Sequence, residues 1–402
     1  MESIKDIYTF GPGPSSSHTI GPYKASLDFI SNLKDKDNIR IEVTLCGSLA
    51  LTGKGHLTDK IIIDTLKDYK VRVIFNYKIE GLIHPNTMEF IAFNNKNEVI
   101  KECTYFSVGG GKIDKNTLNS NEIDIYPFNS FDEIKDYMTV NKIDSLNELV
   151  DKFEDKDINE YLNKSIDIML NSVEEGLSKE GVLPGKLEIH RVARELYKNS
   201  INLDGYEKVC MLLTSFAYAV SEVNASGGMV VTAPTCGSAG IIPAILYYEE
   251  KYKKLDRNIL INSLKIGGLF GNIAKKNASI SGARSGCQAE IGVASAMGAA
   301  IISYINNLSL YQIEYASEVA LEHFLGLTCD PVLGYVQIPC IERNGIGVLR
   351  SYNSYLYAKN IAPLRKNRVS YDEVIKAMKE TGDDLNSDYK ETSEGGLAKL
   401  IK

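Results

Sequence analysis

Hydrophobic positions change their spacing along the chain. Up to about residue 125 they fall in short strand-like runs, over 39–45, 71–77, 88–94 and 98–108, set off by polar and turn-forming residues. Between the first two runs, 57–69 carries apolar residues at helical spacing, and a further helix is expected over 21–33. A polar stretch rich in Asn and Asp spans about 116–133. Charge-rich helical text then runs over about 134–177, notably 147–153 and 158–169. From Pro184 onward strand signals nearly vanish. Apolar and small-residue helices are expected over 206–223, 241–252, 260–274, 290–304 and 313–325, separated by glycine-rich breaks. The pattern predicts an α+β protein. An α/β domain with a small mixed sheet is expected over 1–133, a helical connector over 134–180 and an all-helical domain over 181–402.

Length and composition agree with that division. A chain of 402 residues is expected to form two or three domains, and 44% hydrophobic with 24% charged residues is ordinary for a globular protein. The net charge of −7, without a basic run, argues against a nucleic-acid surface. Met-Glu-Ser-Ile-Lys-Asp at the start has neither an apolar core nor a cleavage site, so no secretion leader is expected. The longest uncharged stretches, 223–248 and 291–313, are broken by Gly, Pro, Thr and Asn, which reads as buried helix rather than membrane span. A cytoplasmic chain with no membrane partner is the expectation. Seven cysteines, an odd number, fit reduced thiols there.

Cys46, Cys103 and Cys210 lie in apolar or strand-like text and read as small buried hydrophobes. Cys236, in Ala-Pro-Thr-Cys-Gly-Ser-Ala-Gly, could line a site. Cys287, Cys329 and Cys340 each have Gly or Pro within two residues and are open to ligation or to burial. No CxxC pair exists, which excludes a zinc-finger spacing. Three thiolates can hold three corners of a cubic iron–sulfur cluster and leave the fourth iron open.

Polar loops carry the remaining chemistry. In Gly11-Pro-Gly-Pro-Ser-Ser-Ser-His-Thr, Ser15, Ser16, Ser17, His18 and Thr19 precede an expected helix and could bind an anion, with a plain N-cap loop as the alternative. His56 follows Gly-Lys-Gly, with Lys54 and Thr58 beside it, and could be a general base. A phosphate loop would need Gly-x-x-x-x-Gly-Lys-Ser/Thr, which this segment lacks. His84 and Asn86 share a face by period two. Thr232, Thr235 and Ser238 lead into an apolar helix as a second anion-binding start or as caps. Asn277, Ser279 and Ser281 precede Cys287 as donors or caps. His190 and His323 read as structural or surface residues.

Taken together, these segments resemble the iron–sulfur L-serine dehydratases (L-serine ammonia-lyases), which use no pyridoxal phosphate. The resemblance rests on Gly-Pro-Ser-Ser-Ser-His-Thr, Ser-Leu-Ala-Leu-Thr-Gly-Lys-Gly-His, His-Pro-Asn, Ser-Val-Gly-Gly-Gly and Thr-Ala-Pro-Thr. It continues through Asn-Ala-Ser-Ile-Ser-Gly, Gly-Cys-Gln-Ala-Glu, Gly-Leu-Thr-Cys-Asp-Pro-Val and Gln-Ile-Pro-Cys-Ile-Glu-Arg-Asn, in order over nearly the whole chain. It implies beta-type and alpha-type parts fused in one chain, and a [4Fe-4S] cluster on Cys287, Cys329 and Cys340. It implies His56 as base, with Lys54 and Thr58 as its neighbours. It brings His18, His84 and Asn86 to an amino-acid substrate at the domain interface. The serine loop, Thr232, Thr235, Asn277 and Ser279 are expected to bind the same substrate, in a homodimer.

Two departures qualify the resemblance. Arg284-Ser285 stands before the first ligand, where many members carry an acidic or small residue, and could favour a substrate with a second anionic group. The last residues hold no cysteine, so no fourth protein ligand is expected, and no regulatory domain of the ACT type has room. The alternatives are a sister lyase for L-threonine, L-cysteine or β-hydroxyaspartate, or an iron–sulfur redox or sensor protein that would leave the polar loops unexplained.

Overall fold

The computed structural model describes residues 1–33, 38–77, 81–118, 123–392 and 394–401. The polar stretch at 116–133 therefore lies partly outside the described residues. The chain folds as two units. One comprises Gly11–Glu122 with Ser226–Met229. The other comprises Met1–Phe10, Ile123–Ala225 and Val230–Lys402.

Alternation builds the sheet of the first unit. In β1 (Arg40–Cys46), Ile41, Val43 and Leu45 are fully buried while Glu42 and Thr44 are half-buried, the period-two signature of a strand with one face on a core. β1 runs parallel to β2 (Lys70–Asn76), pairing Val43 with Val73. It runs antiparallel to β3 (Thr87–Phe93), pairing Val43 with Phe90. β4 (Val99–Gly109) and β5 (Lys112–Lys115) extend the antiparallel side, so the order is β2-β1-β3-β4-β5. A parallel pair needs a crossover, and α2 (Ser48–Thr52) with α3 (Thr58–Thr65) supplies it. α1 (Gly21–Ser31) packs on α3 and β4. Phe29 of α1, Leu49 of α2 and Ile62 of α3 close the core over Val43 and Phe90. The C-terminal end of β1, the start of β3 and the end of β4 share one edge of this sheet, because Leu45 pairs with Met88 and Thr87 with Phe106.

The second unit is helical. Its long elements are α4 (Phe131–Asn141), α5 (Leu146–Phe153), α6 (Ile158–Ser178), α7 (Ala193–Ile201), α8 (Gly205–Ala225) and α9 (Ile241–Lys251). They continue as α10 (Arg257–Asn277), the short α11 (Gly282–Ser285), α12 (Ile291–Ile305), α13 (Leu310–Glu322), α14 (Cys340–Ile361), α15 (Tyr371–Asp384) and the short α16 (Gly396–Leu400). The stretch 134–180 thus forms α4 to α6 of this unit, and the first ten residues belong to it as well.

α12 is the centre, packed against α10, α13 and α14. From Ile291 to Ser303 every residue of α12 is buried, and Gly, Ala and Ser dominate. Small side chains let helices approach until backbone and hydroxyl groups touch. A Cβ on Gly298 would lie 2.5 Å from the Ser351 hydroxyl of α14. Ser351 instead donates to the Ser295 carbonyl at 3.0 Å. The segment Cys287–Ile305 is long and apolar enough to cross a membrane, but 83% of its best window is buried inside the fold.

Candidate active site

In the first unit, three loops meet at the sheet edge described above. The serine loop forms a single π-helical turn, Ser16–Ile20, capped by Ser15, whose hydroxyl accepts the His18 N–H at 3.2 Å. Gly47 turns the chain from β1 into α2 at φ +60, and a Cβ there would lie 2.4 Å from the Pro85 carbonyl. Glycine therefore lets the Ser48 N–H donate to that carbonyl at 2.8 Å, tying the second loop to the His84–Asn86 loop. Ser107 at the end of β4 donates its hydroxyl to the Ser17 carbonyl at 2.7 Å and its N–H to the Asn86 carbonyl at 3.0 Å.

Three histidines are thereby brought together, each with different duties. His18 Nδ1 bonds the Ser17 hydroxyl at 2.9 Å and Nε2 bonds the Ser48 hydroxyl at 3.1 Å, so both ring nitrogens are occupied. His84 Nδ1 accepts the Asn86 N–H at 3.0 Å, which places the proton of its neutral ring on Nε2. His56 Nδ1 lies 3.1 Å from the Thr52 carbonyl. A carbonyl only accepts, so Nδ1 is the donor and Nε2 carries the basic lone pair. Among the described residues no side chain hydrogen-bonds that Nε2. Burial is the main reason why all three imidazoles are held below their ordinary range. His18 is pushed down to about 3 by burial and then by the charge of His56. His56 is neutral at physiological pH and has one free basic nitrogen.

The other residues expected here serve these three. Thr58 donates to the His18 carbonyl at 2.7 Å and so links α3 to the serine loop. Thr19 and Ser15 bond one another, the Ser15 N–H reaching the Thr19 hydroxyl at 3.0 Å. Ser16 is half-buried in the same turn. Lys54 is exposed, its ammonium 5.5 Å from the centre of the Phe75 ring. Asn86 donates to the Ser107 carbonyl at 3.3 Å, and its side-chain oxygen is buried with no partner among the described residues. Sequence reasoning missed Ser48 and Ser107. Both stood inside blocks that carried the resemblance, but their roles depend on a sheet edge that spacing alone does not reveal.

In the helical unit, the three cysteines come from separate segments. Cys287 follows α11, Cys329 lies in the loop after α13, and Cys340 is the first residue of α14. Cys287 raises the thiols of Cys329 and Cys340 electrostatically, and Cys340 raises that of Cys329, so the three share one neighbourhood, although burial is the larger cause. Cys287 is pushed up to about 12, by burial first and Glu290 second. Arg343 is the opposing charge. It hydrogen-bonds Cys287, donates to the Thr328 carbonyl at 2.6 Å and pairs with the buried Asp330 carboxylate at 3.1 Å. Asp330 also accepts the Leu397 N–H at 2.8 Å, while the Cys329 N–H donates to the Tyr389 carbonyl at 2.8 Å. Tyr389 and Leu397 thus hold the Cys329 loop.

Glu290 completes the neighbourhood. It accepts the Thr235 hydroxyl at 2.6 Å, and Cys329 Sγ lies 3.8 Å from its other oxygen. A Cβ on Gly282 would come within 2.7 Å of that carboxyl and 3.0 Å of the Cys329 sulfur, so glycine makes room for the contact. Asn344 ties Cys340 to the 237–240 turn, donating to the Cys340 and Gly237 carbonyls and accepting the Gly240 N–H. Glu290, Asp330, Arg343 and Asn344 all lay within or beside the quoted motifs, yet only packing shows what they hold.

Other expected donors are engaged elsewhere. The buried Thr232 hydroxyl donates to the Ile7 carbonyl and accepts the Thr9 N–H. Asn277 bonds the Asn129 and Ile273 carbonyls, and Ser279 accepts the Ser281 N–H. Arg284 is exposed. Among the described residues no three His, Cys, Asp or Glu side chains close on a point as ligands of one ion do. A cluster asks for something different, since each thiolate binds its own iron. Three thiols and Glu290 around one guanidinium leave the neighbourhood short of positive charge once the thiols ionise. A cationic inorganic group fits that donor set.

Two successive segments of the chain match two family descriptions. Residues 3–74 match the family "Serine dehydratase beta chain" and residues 86–398 match "Serine dehydratase alpha chain". The chain belongs to the serine dehydratase family, with beta and alpha parts fused in one polypeptide. It is 39% identical over 455 aligned positions to the L-serine dehydratase of Helicobacter pylori, spanning 100% of this chain and 99% of that protein. Identity is 38% to L-serine dehydratase 2 of Escherichia coli, over 100% and 99% of the two chains. It is 35% to the L-serine dehydratase of Streptomyces coelicolor, over 98% of each.

Proposed function

We propose that this protein is an L-serine ammonia-lyase, converting L-serine to pyruvate and ammonia, with a [4Fe-4S] cluster on Cys287, Cys329 and Cys340. The observation that carries the reading is the full-length similarity to L-serine dehydratases, joined to a neutral histidine with one free nitrogen. Cys287, Cys329 and Cys340 would hold the cluster, which would supply Lewis acidity toward the leaving hydroxyl. Arg343, Tyr389 and Leu397 hold the Cys329 loop.

His56 takes the α-proton on Nε2, with Nδ1 anchored on Thr52 so that the ring cannot turn. The electron pair left on Cα forms the double bond to Cβ as the hydroxyl departs, and the hydroxyl with a proton leaves as water. The enamine tautomerises to an imine, which water hydrolyses to pyruvate and ammonia. His18, fixed between Ser17 and Ser48, packs against the His56 ring and keeps its position.

The test is anaerobic reconstitution with iron and sulfide, followed by measurement of pyruvate from L-serine. Cys287→Ala, Cys329→Ala and Cys340→Ala should each lose the iron–sulfur absorption and the activity, while Cys46→Ala and Cys210→Ala keep both. An intact cluster in the Cys329→Ala protein would overturn the ligand set. Comparing kcat/KM for L-serine, L-threonine, L-cysteine and β-hydroxyaspartate tests the substrate. The guanidinium at Cys287 is that of Arg343, already paired with Asp330, which favours the monocarboxylate.

A further inference from the structure

A cavity with charged residues in its wall lies within the helical unit, lined by α13, α14 and the segment that leads into α15. Its volume is about 780 Å³, within the usual range for small-molecule sites. Tyr315 and Tyr357 line it, with Glu318 and Glu322 from α13 and Arg365 and Arg368 from the segment before α15.

Its acidic side is uncompensated. Glu314, Glu318 and Glu322 recur every fourth residue, so they form one stripe on α13. Glu314 is paired with Lys135 at 2.9 Å. Glu318 is only 2% exposed, yet among the described residues no Lys or Arg pairs with it. It hydrogen-bonds the carboxyl of Glu322, and the charges of Glu314 and Glu373 raise it further. Burial above all, then Glu322, pushes Glu318 up to about 9. Buried carboxylates are ordinarily paired with a cation. Glu318 lines the cavity beside Glu322.

The basic groups of the lining come from the segment before α15. Asn367 accepts the Tyr311 hydroxyl at 2.7 Å and donates its N–H to that hydroxyl at 2.9 Å. This fixes the segment that carries Arg365 and Arg368 to the start of α13. Ser370 then caps α15 through a reciprocal bond with Glu373, which occupies the Glu373 carboxylate.

We propose that this cavity binds a small zwitterion, its primary ammonium on Glu318 and Glu322 and its acid group on Arg365 and Arg368. Both ends make charge-assisted hydrogen bonds, and neither end alone satisfies the site. The two tyrosines flank the chain between them. The site is independent of the lyase reading, because none of its residues belongs to the histidine or cysteine groups.

Calorimetric titration of the full chain with 6-aminohexanoate tests it, since this probe carries both charges and cannot undergo β-elimination. Hexylamine and hexanoate are the half-probes. The zwitterion should bind about tenfold or more tighter than either half. Glu318→Gln should reduce its binding to the level of hexanoate, and Arg365→Ser with Arg368→Ser to the level of hexylamine. Circular dichroism controls for folding, and His56→Gln and Cys287→Ala should leave the titration unchanged. Absence of saturable binding, or binding that ignores Glu318→Gln, overturns the proposal.

Discussion

The imidazoles of His18 and His56 stack with ring centres 4.7 Å apart and planes inclined by 29°, and only His56 keeps a ring nitrogen unused among the described residues. The pair divides the work: one ring is tied down at both nitrogens, the other at one. His56→Gln should therefore remove the base while leaving α3 and the serine loop folded. Turnover should fall by about 10²–10⁴, the usual worth of a positioned base, with the iron–sulfur absorption unchanged. Solvent deuterium appearing at the α-carbon of serine at the wild-type rate in that variant would assign the base elsewhere.

Burial of the same pair links stability to acid. His18 has its folded value lowered to about 3 from 6.5, and His56 is lowered too, chiefly by burial. At these two sites the unfolded chain binds more protons than the folded one below pH 6.5, so their contribution to stability falls as pH falls. Each group can contribute a slope of up to about 1.4 kcal/mol per pH unit, reduced for the half-buried His18 by solvent screening. Chemical denaturation of the wild type and of His18→Gln in parallel should show stability falling more steeply in the wild type between pH 7 and pH 5, and equal slopes would remove His18 from the linkage.

Asp330 and Arg343 form a buried ion pair beside the cysteines, with side chains only 3% and 16% exposed. Removing one charge leaves the other buried alone. Asp330→Asn should cost about 3 kcal/mol in a denaturation series. The same variant should also lose iron faster to a chelator, because Asp330 anchors Leu397 as well as Arg343. Equal chelation rates in the two proteins would show that the pair supports the fold without holding the cysteine loop.

Gly47→Ala would meet two penalties at once, a left-handed backbone and a Pro85 carbonyl 2.4 Å from the new Cβ. The first costs about 1–2 kcal/mol and the second forces the His84–Asn86 loop away. The midpoint of unfolding should drop, and KM for serine should rise more than kcat falls.

Much of this was legible in the sequence. The strands at 39–45 and 88–94 alternate because one face meets a core, and alternation survives in the residue order. Helices α8 to α10, α12 and α13 announce themselves by apolar length. α14 does not. Gly345, Gly347, Ser351 and Ser354 are buried in it because neighbouring helices cross there, and small polar residues at crossings carry no apolar period. The same limit hid Glu290 and Arg343, whose partners are 55 residues back and 13 residues back. The histidines were visible as residues, but which of them has a free nitrogen is a matter of hydrogen bonds between loops 30 residues apart.

The opening segment has a consequence for dissecting the gene. Tyr8 donates its hydroxyl to the Leu264 carbonyl at 2.9 Å, and Thr9 lies against Thr232. Those partners are encoded more than two hundred codons downstream, beyond the whole of the sheet. A cut between codons 122 and 123 would therefore strand Met1–Phe10 on the wrong fragment. The downstream fragment would carry an open groove along α10, and a synthetic decapeptide of the first ten residues should fill it in trans.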